Sequence, residues 1–180
     1  NSRKPELVQI ESARNDREVA NLISLRTANL FDKVLLSPYR SGDANRLVIV
    51  SGFVSPTMIA NHVEAILSLK RDDKFLLDVI VGMTGKSNMS EKATENFGRL
   101  NFENSEFKID IRTPSESIDY HSKLYVWFKG DHPVLAWGGS ANYTRLAFGL
   151  SDQSDLRDEI LFEVDPGLAS KYVEELFSRS

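Results

Sequence analysis

The sequence contains no cysteine. Disulfides and thiolate metal sites are therefore excluded, and the composition fits a reducing compartment, so a cytoplasmic location is expected. No apolar run approaches the roughly 18 residues of a membrane-spanning helix, and no membrane partner is expected. The opening Asn1-Ser2-Arg3-Lys4-Pro5 leads into no apolar stretch of the signal-peptide kind and has no initiating Met, so a fragment or processed form of a longer protein is expected. A basic excess is missing as well. Lys and Arg number 22 against 26 Asp and Glu, for a net charge of −4. A domain that grips nucleic acid unaided usually carries a basic face, so the balance weighs against autonomous tight binding of that kind. No internal repeat, low-complexity tract or Pro/Gly/Ser-rich linker interrupts the chain.

What is present suits one domain spanning 1–180, since 180 residues at 41% apolar can bury a core. Residues 16–36 read as a helix, with Asp16 as N-cap and Val19, Leu22, Ile23, Leu30, Val34 and Leu35 near helical spacing; Ser37-Pro38-Tyr39 should end it. Residues 46–50 form a short β-branched run suited to a strand buried on both faces, followed by Ser51-Gly52-Phe53. A helix over 57–70, a strand over 75–81, a helix from Ser90 to about Leu100 and an alternating strand over 107–112 follow. Strand–helix–strand order implies parallel pairing with right-handed crossovers. Residues 121–129 and 133–138 are apolar runs around Gly130-Asp131-His132-Pro133, the signature of an antiparallel hairpin. A strand over 159–164 and a helix from Pro166 to Phe177 close the chain. The expected fold class is α/β, a mixed sheet with helices on both faces.

Two clusters carry chemistry. In His121-Ser122-Lys123 the first and third side chains share one strand face, placing an imidazole beside an ammonium. Lysine neutralises phosphate oxygens, and histidine serves as nucleophile or general acid. In Gly138-Gly139-Ser140-Ala141-Asn142 the glycines allow close backbone approach, and Ser140 and Asn142 can donate to phosphate oxygens. A short helix around Tyr143–Ala147 should follow. Each cluster alone is unremarkable: the first could be an ordinary strand start, the second a turn with a helix cap. Together they are informative, because the hairpin brings the start of one strand beside the end of the next.

These residues resemble the phospholipase D superfamily, whose signature is His-x-Lys, four residues, Asp, about six residues and Gly-Ser-x-Asn. Phe128 occupies the Asp position, and the nearest Asp is Asp131 in the turn. The resemblance implies an acidic residue on the following strand that orients the histidine; Glu159 is the best match and Asp158 the alternative. It also implies a loop insertion at 147–156. The missing Asp, the Ser51-Gly52-Phe53 turn and the preceding helical segment look most like the metal-independent BfiI/NgoFVII-type restriction endonucleases. That likeness implies a DNA phosphodiesterase with no cofactor and no metal, a homodimer with one composite site, and a separate DNA-recognition domain elsewhere in the full-length protein. His121 would form a phosphohistidine while Lys123, Ser140 and Asn142 stabilise charge at phosphorus. A lipid-directed phosphodiesterase or phosphatidyltransferase is the rival enzyme, and a non-catalytic dimerisation module the rival outside enzymes.

Other features are expected to be bystanders. Gly82-Met83-Thr84-Gly85-Lys86-Ser87 has Ile80 where a phosphate-binding loop needs its first Gly, so it is too short to cradle a triphosphate. Lys86 can still line a groove at the strand ends. Arg145 suits a DNA phosphate contact or a solvated helix position equally. Trp127 and Trp137 belong to core or dimer contact, and His62 and His132 are expected at the surface.

Overall fold

The computed structural model describes residues 22–24, 30–83, 97–113, 120–150 and 159–179. Among the described residues, eight strands form one mixed sheet, β1 (Leu22–Ser24), β2 (Arg46–Ser51), β3 (Phe75–Val81), β4 (Phe102–Glu103), β5 (Phe107–Arg112), β6 (Lys123–Lys129), β7 (His132–Gly139) and β8 (Ile160–Val164), in the order β1-β8-β7-β6-β2-β3-β5-β4. The β2, β3 and β5 strands run parallel, and β6, β7, β8 and β1 extend the sheet with antiparallel pairs.

Alternation along β2 explains the layers. Leu47 and Ile49 join a core with Met58, Ile59, Val63 and Ile66 of the helix α2 (Pro56–Ser68). Val48 and Val50 face the other way, onto Ala169, Val173 and Leu176 of α3 (Pro166–Phe177). A strand buried on both faces can be apolar throughout, which is why 46–50 lacks alternation. Both helices start on Pro after a capping side chain: Ser55 accepts from Met58 N, and Asp165 from Leu168 N. Among the described residues no helix is long and apolar enough to cross a membrane.

The segment expected as one helix over 16–36 is built differently. Leu22–Ser24 is a strand, paired antiparallel with Ile160–Phe162. The open edge of β8 offers unpaired backbone groups, and that pairing outweighs local helical spacing. A π-helical turn over Phe31–Leu36 then passes into α1 (Ser37–Ser41), with Pro38 in its first turn. Proline there starts the helix instead of ending it, because its missing N–H is not needed at that position. Gly42, at φ +86°, closes α1 in the left-handed conformation. Most of the helix expected from Ser90 lies outside the described residues.

Carbonyls of the π-helical turn accept side-chain donors from the core. Trp127 Nε1 donates to Val34 O at 2.7 Å. His62 is fully buried, not at the surface as expected: it sits on the inner face of α2, where two buried partners satisfy both ring nitrogens. Leu35 O can only accept, so Nε2 carries the proton and donates to it at 3.0 Å. Nδ1 then accepts from the Tyr143 hydroxyl at 2.7 Å. Burial holds His62 down to a pKa of about 4, against the bond to Leu35 O, which raises it. Between pH 6.5 and 4 the unfolded chain thus binds the proton that the folded chain refuses, so stability falls as pH falls through that window. The expected loss is about 3 kcal/mol. Urea titrations at pH 7 and pH 4.5 check it: the drop should shrink in His62→Gln, and an equal drop in both proteins would contradict it.

His132 is exposed at the start of β7, as expected. Pro133 lies within β7, opposite Phe128 at a register shift, in the part of the strand that β8 does not reach. Phe128 is buried beneath Arg46, whose guanidinium lies 5.3 Å from the ring centroid and bonds Asp78 at 2.7 Å. Trp127 and Trp137 are core residues.

Candidate active site

Topology gathers the chemistry at one edge of the sheet. The C-terminal ends of β2, β3 and β7 and the starts of β6 and β8 meet there, with Ser51 opposite Lys123 and Gly139 opposite Leu161. Carboxyl ends of parallel strands are the usual ligand side of an α/β sheet. His121 stands just before β6, and Lys123 is its first residue. Lys123 Nζ lies 2.8 Å from His121 Nδ1 and 2.7 Å from His121 O. An ammonium can only donate, so Nδ1 presents its lone pair to the lysine. Partial burial lowers the Lys123 pKa from its ordinary value, and the nearby Glu159 carboxylate pulls it back up.

The Ser140–Asn142 loop is held at every residue. Ser140 N donates to Ile160 O at 2.9 Å, and Ile160 N donates to Ser140 Oγ at 3.0 Å. The buried Tyr125 hydroxyl donates to Ala141 O at 2.7 Å. Asn142 Oδ1 accepts from Phe53 N at 3.1 Å and lies 3.4 Å from Ser51 Oγ. With its oxygen turned inward, Asn142 has its amide NH2 left to donate. Ser51, wholly buried, donates to Phe53 O at 2.7 Å and accepts from Tyr143 N at 2.9 Å. Gly52 makes the floor: a side-chain carbon there would lie 3.5 Å from both Asn142 Oδ1 and His121 Cδ2. Four of the expected site residues, His121, Lys123, Ser140 and Asn142, therefore border one small region.

Glu159 joins them through a different bond from the one expected. Its carboxylate accepts from the Ser140 hydroxyl, not from the His121 ring. The start of β8 lies against the end of β7, which puts Ser140 within its reach, while the His121 ring turns to Lys123 and lies edge-on to Phe53. Asp158, Lys86 and most of the 147–156 insertion lie outside the described residues. The short helix expected over Tyr143–Ala147 is a turn, closed by Leu150 N on Arg145 O and by Gly149 at φ +69°. Arg145 donates to Leu150 O at 2.6 Å, which assigns its guanidinium to that turn.

The Ser51-Gly52-Phe53 turn entered the sequence reasoning only as a likeness, and what its residues do at the site was missed. One signal was available: Ser51 is a polar residue ending an apolar strand on the ligand side of the sheet. Among the described residues no group of three or more His, Cys, Asp or Glu is placed to hold a metal ion.

A mixed sheet carrying His-x-Lys and Gly-Ser-x-Asn on one rim defines a phospholipase D-like domain. The sequence model of the NgoFVII restriction endonuclease N-terminal PLD domain matches residues 28–180, and the chain belongs to that family. It is thus a phosphodiesterase-class hydrolase domain of restriction-endonuclease type. No curated protein matches it. In fold it is similar to Nuc from Salmonella typhimurium, a phospholipase D family member, at 18% identity and a TM-score of 0.52 over 89% of this chain and 93% of that one. NucT from Helicobacter pylori gives 17% and 0.51 over 89% and 96%. Polyphosphate kinase from Porphyromonas gingivalis gives 14% and 0.56 over 90% of this chain and 26% of that one.

Proposed function

We propose that the chain is the nuclease domain of a restriction enzyme and cleaves DNA without a metal, through a phosphohistidine, at one site assembled from two copies. The observation that carries this reading is the His121–Lys123 pair, 2.8 Å apart on the rim that also holds Ser140 and Asn142. An incoming phosphate competes for the Lys123 ammonium. When the ammonium moves to a phosphate oxygen, the His121 nitrogen lone pair is uncovered and attacks phosphorus. A nitrogen–phosphorus bond forms, the phosphorus–oxygen bond to the leaving strand breaks, and the leaving oxygen takes its proton from the His121 of a second copy, which enters this step as the imidazolium. That imidazole, now neutral, deprotonates a water, which displaces the first histidine and restores both.

One His-x-Lys per chain supplies one of the two histidines, so the reaction needs a partner, and a two-fold dimer brings identical rims face to face. Lys123 and the Asn142 amide place positive charge and a donor where phosphorus gains negative charge. Glu159 holds the Ser140 hydroxyl in place and balances the Lys123 charge. The net charge of −4 leaves DNA affinity and sequence choice to a recognition domain elsewhere in the full-length protein.

The test is plasmid cleavage in EDTA, with molecular mass measured in parallel and phosphatidylcholine vesicles as the competing substrate. A dimer that nicks or cuts plasmid in EDTA and leaves the lipid intact is expected. Cleavage that stops in EDTA and returns with magnesium would overturn the metal-free chemistry. A fully active monomer would overturn the shared site.

A further inference from the structure

We infer that Phe53 is a substrate-contacting residue, stacking its ring on the nucleobase next to the scissile phosphate; the inference rests on the nuclease reading above. Phe53 is 45% exposed, directly after the wholly buried Ser51 and the buried Gly52. Its ring lies 6.3 Å from the His121 ring, centroid to centroid, at 88°. It therefore stands at the mouth of the region where phosphorus must sit.

The position is fixed from both sides. Phe53 N donates to Asn142 Oδ1, and Phe53 O accepts from Ser51 Oγ. Both bonds run through backbone atoms, so the loop is held whatever the ring does, and the ring is presented in advance of binding. Gly52 contributes no side chain to the floor, and the phenyl ring of Phe53 stands exposed beside His121. That ring carries no charge and no hydrogen-bonding group. It can offer a phosphate nothing, but it offers a base a π face, and aromatic stacking on bases is tolerant of sequence. Such a contact also suits an acidic domain. At a net charge of −4 the chain has little general attraction for a polyanion, and stacking supplies affinity that salt does not screen.

The substrate class follows: a nucleotide whose base is unstacked on one side at the cleaved step, in a single strand or a locally opened duplex. A lipid phosphodiester or an inorganic polyphosphate has no base to stack.

The experiment compares a single-stranded oligonucleotide with the same strand built from abasic residues, using the wild type, Phe53→Ala and Phe53→Trp, with mass measured for each. For the wild type, kcat/KM on the base-bearing strand should exceed that on the abasic strand by about 10-fold or more. In Phe53→Ala the ratio should fall to near one, and Phe53→Trp should restore it. A ratio that Phe53→Ala leaves at the wild-type value overturns the inference. So does loss on both strands together with dissociation of the dimer, which would make Phe53 an interface residue. A wild type that cuts plasmid but neither strand overturns the inference, and one that cuts neither the strands nor plasmid overturns the nuclease reading itself, so the two failures are separable.

Discussion

Replacing His121 with Ala is expected to lower DNA cleavage by about 10⁴-fold or more. On the proposed shared-site mechanism the loss is this large because one position fills two roles: the substitution removes the nucleophile from one chain and the proton donor from the other. Folding should be spared. His121 is exposed, and among the described residues its ring lies against Lys123 and Phe53, so stability should stay within about 0.5 kcal/mol of the wild type. Lys123→Ala should cost less, about 10²–10³-fold, since it removes charge stabilisation and leaves the covalent route open. Mixing adds a second readout. When equal amounts of wild type and His121→Ala are unfolded together and refolded, about a quarter of the dimers carry both histidines. Activity per total protein should therefore fall to about a quarter of the wild-type value, against about a half if each chain works alone. Single-turnover plasmid cleavage measures both effects.

Legibility in the sequence followed the physics of each segment. β5, α2 and α3 were readable from their local apolar period, and β2, β3 and the hairpin strands from short apolar runs bounded by turn residues; both are local signals that a sequence displays. The β1 segment was not readable, because Leu22–Ser24 takes its conformation from the free edge of β8, a partner far along the chain. His62 was misread for a related reason. Its burial depends on Leu35 O and the Tyr143 hydroxyl, and neither is its neighbour in sequence. At the site, the motif spacing carried the four rim residues. It could not carry the bond of Glu159 to Ser140, which depends on how β8 enters the sheet. Nor could it carry Ser51, whose hydroxyl ties the end of β2 to the Asn142 loop and lies outside both His-x-Lys and Gly-Ser-x-Asn.

Gly139→Ala and Gly82→Ala should disable the enzyme from beneath the site, touching none of the reacting groups. A methyl carbon on Gly139 would lie 2.0 Å from Ile160 O, and one on Gly82 would lie 2.0 Å from Tyr120 O. Both obstacles are backbone, so no side chain can swing aside to relieve them. The first clash forces apart the ends of β7 and β8, where Ser140 N bonds Ile160 O and Glu159 reaches the Ser140 hydroxyl. The second pushes on the residue before His121, which is pinned by Tyr120 N donating to Gly82 O at 2.9 Å. Overpacking of this kind costs about 1–3 kcal/mol of stability. The catalytic loss should be larger in proportion, since a displacement of about 1 Å in a reacting group can cost about 10²-fold. The two variants should also differ in kind. Gly82→Ala displaces His121 and, on the proposed mechanism, should slow formation of the phosphohistidine. Gly139→Ala moves the Ser140–Asn142 loop, and with it the Asn142 amide, and should weaken the hold on phosphate, raising KM as well. Denaturant titration first establishes that each variant is folded at the assay temperature. Single-turnover and steady-state cleavage then separate the two effects. If both folded variants cleave at the wild-type rate, the two close approaches do not position the site.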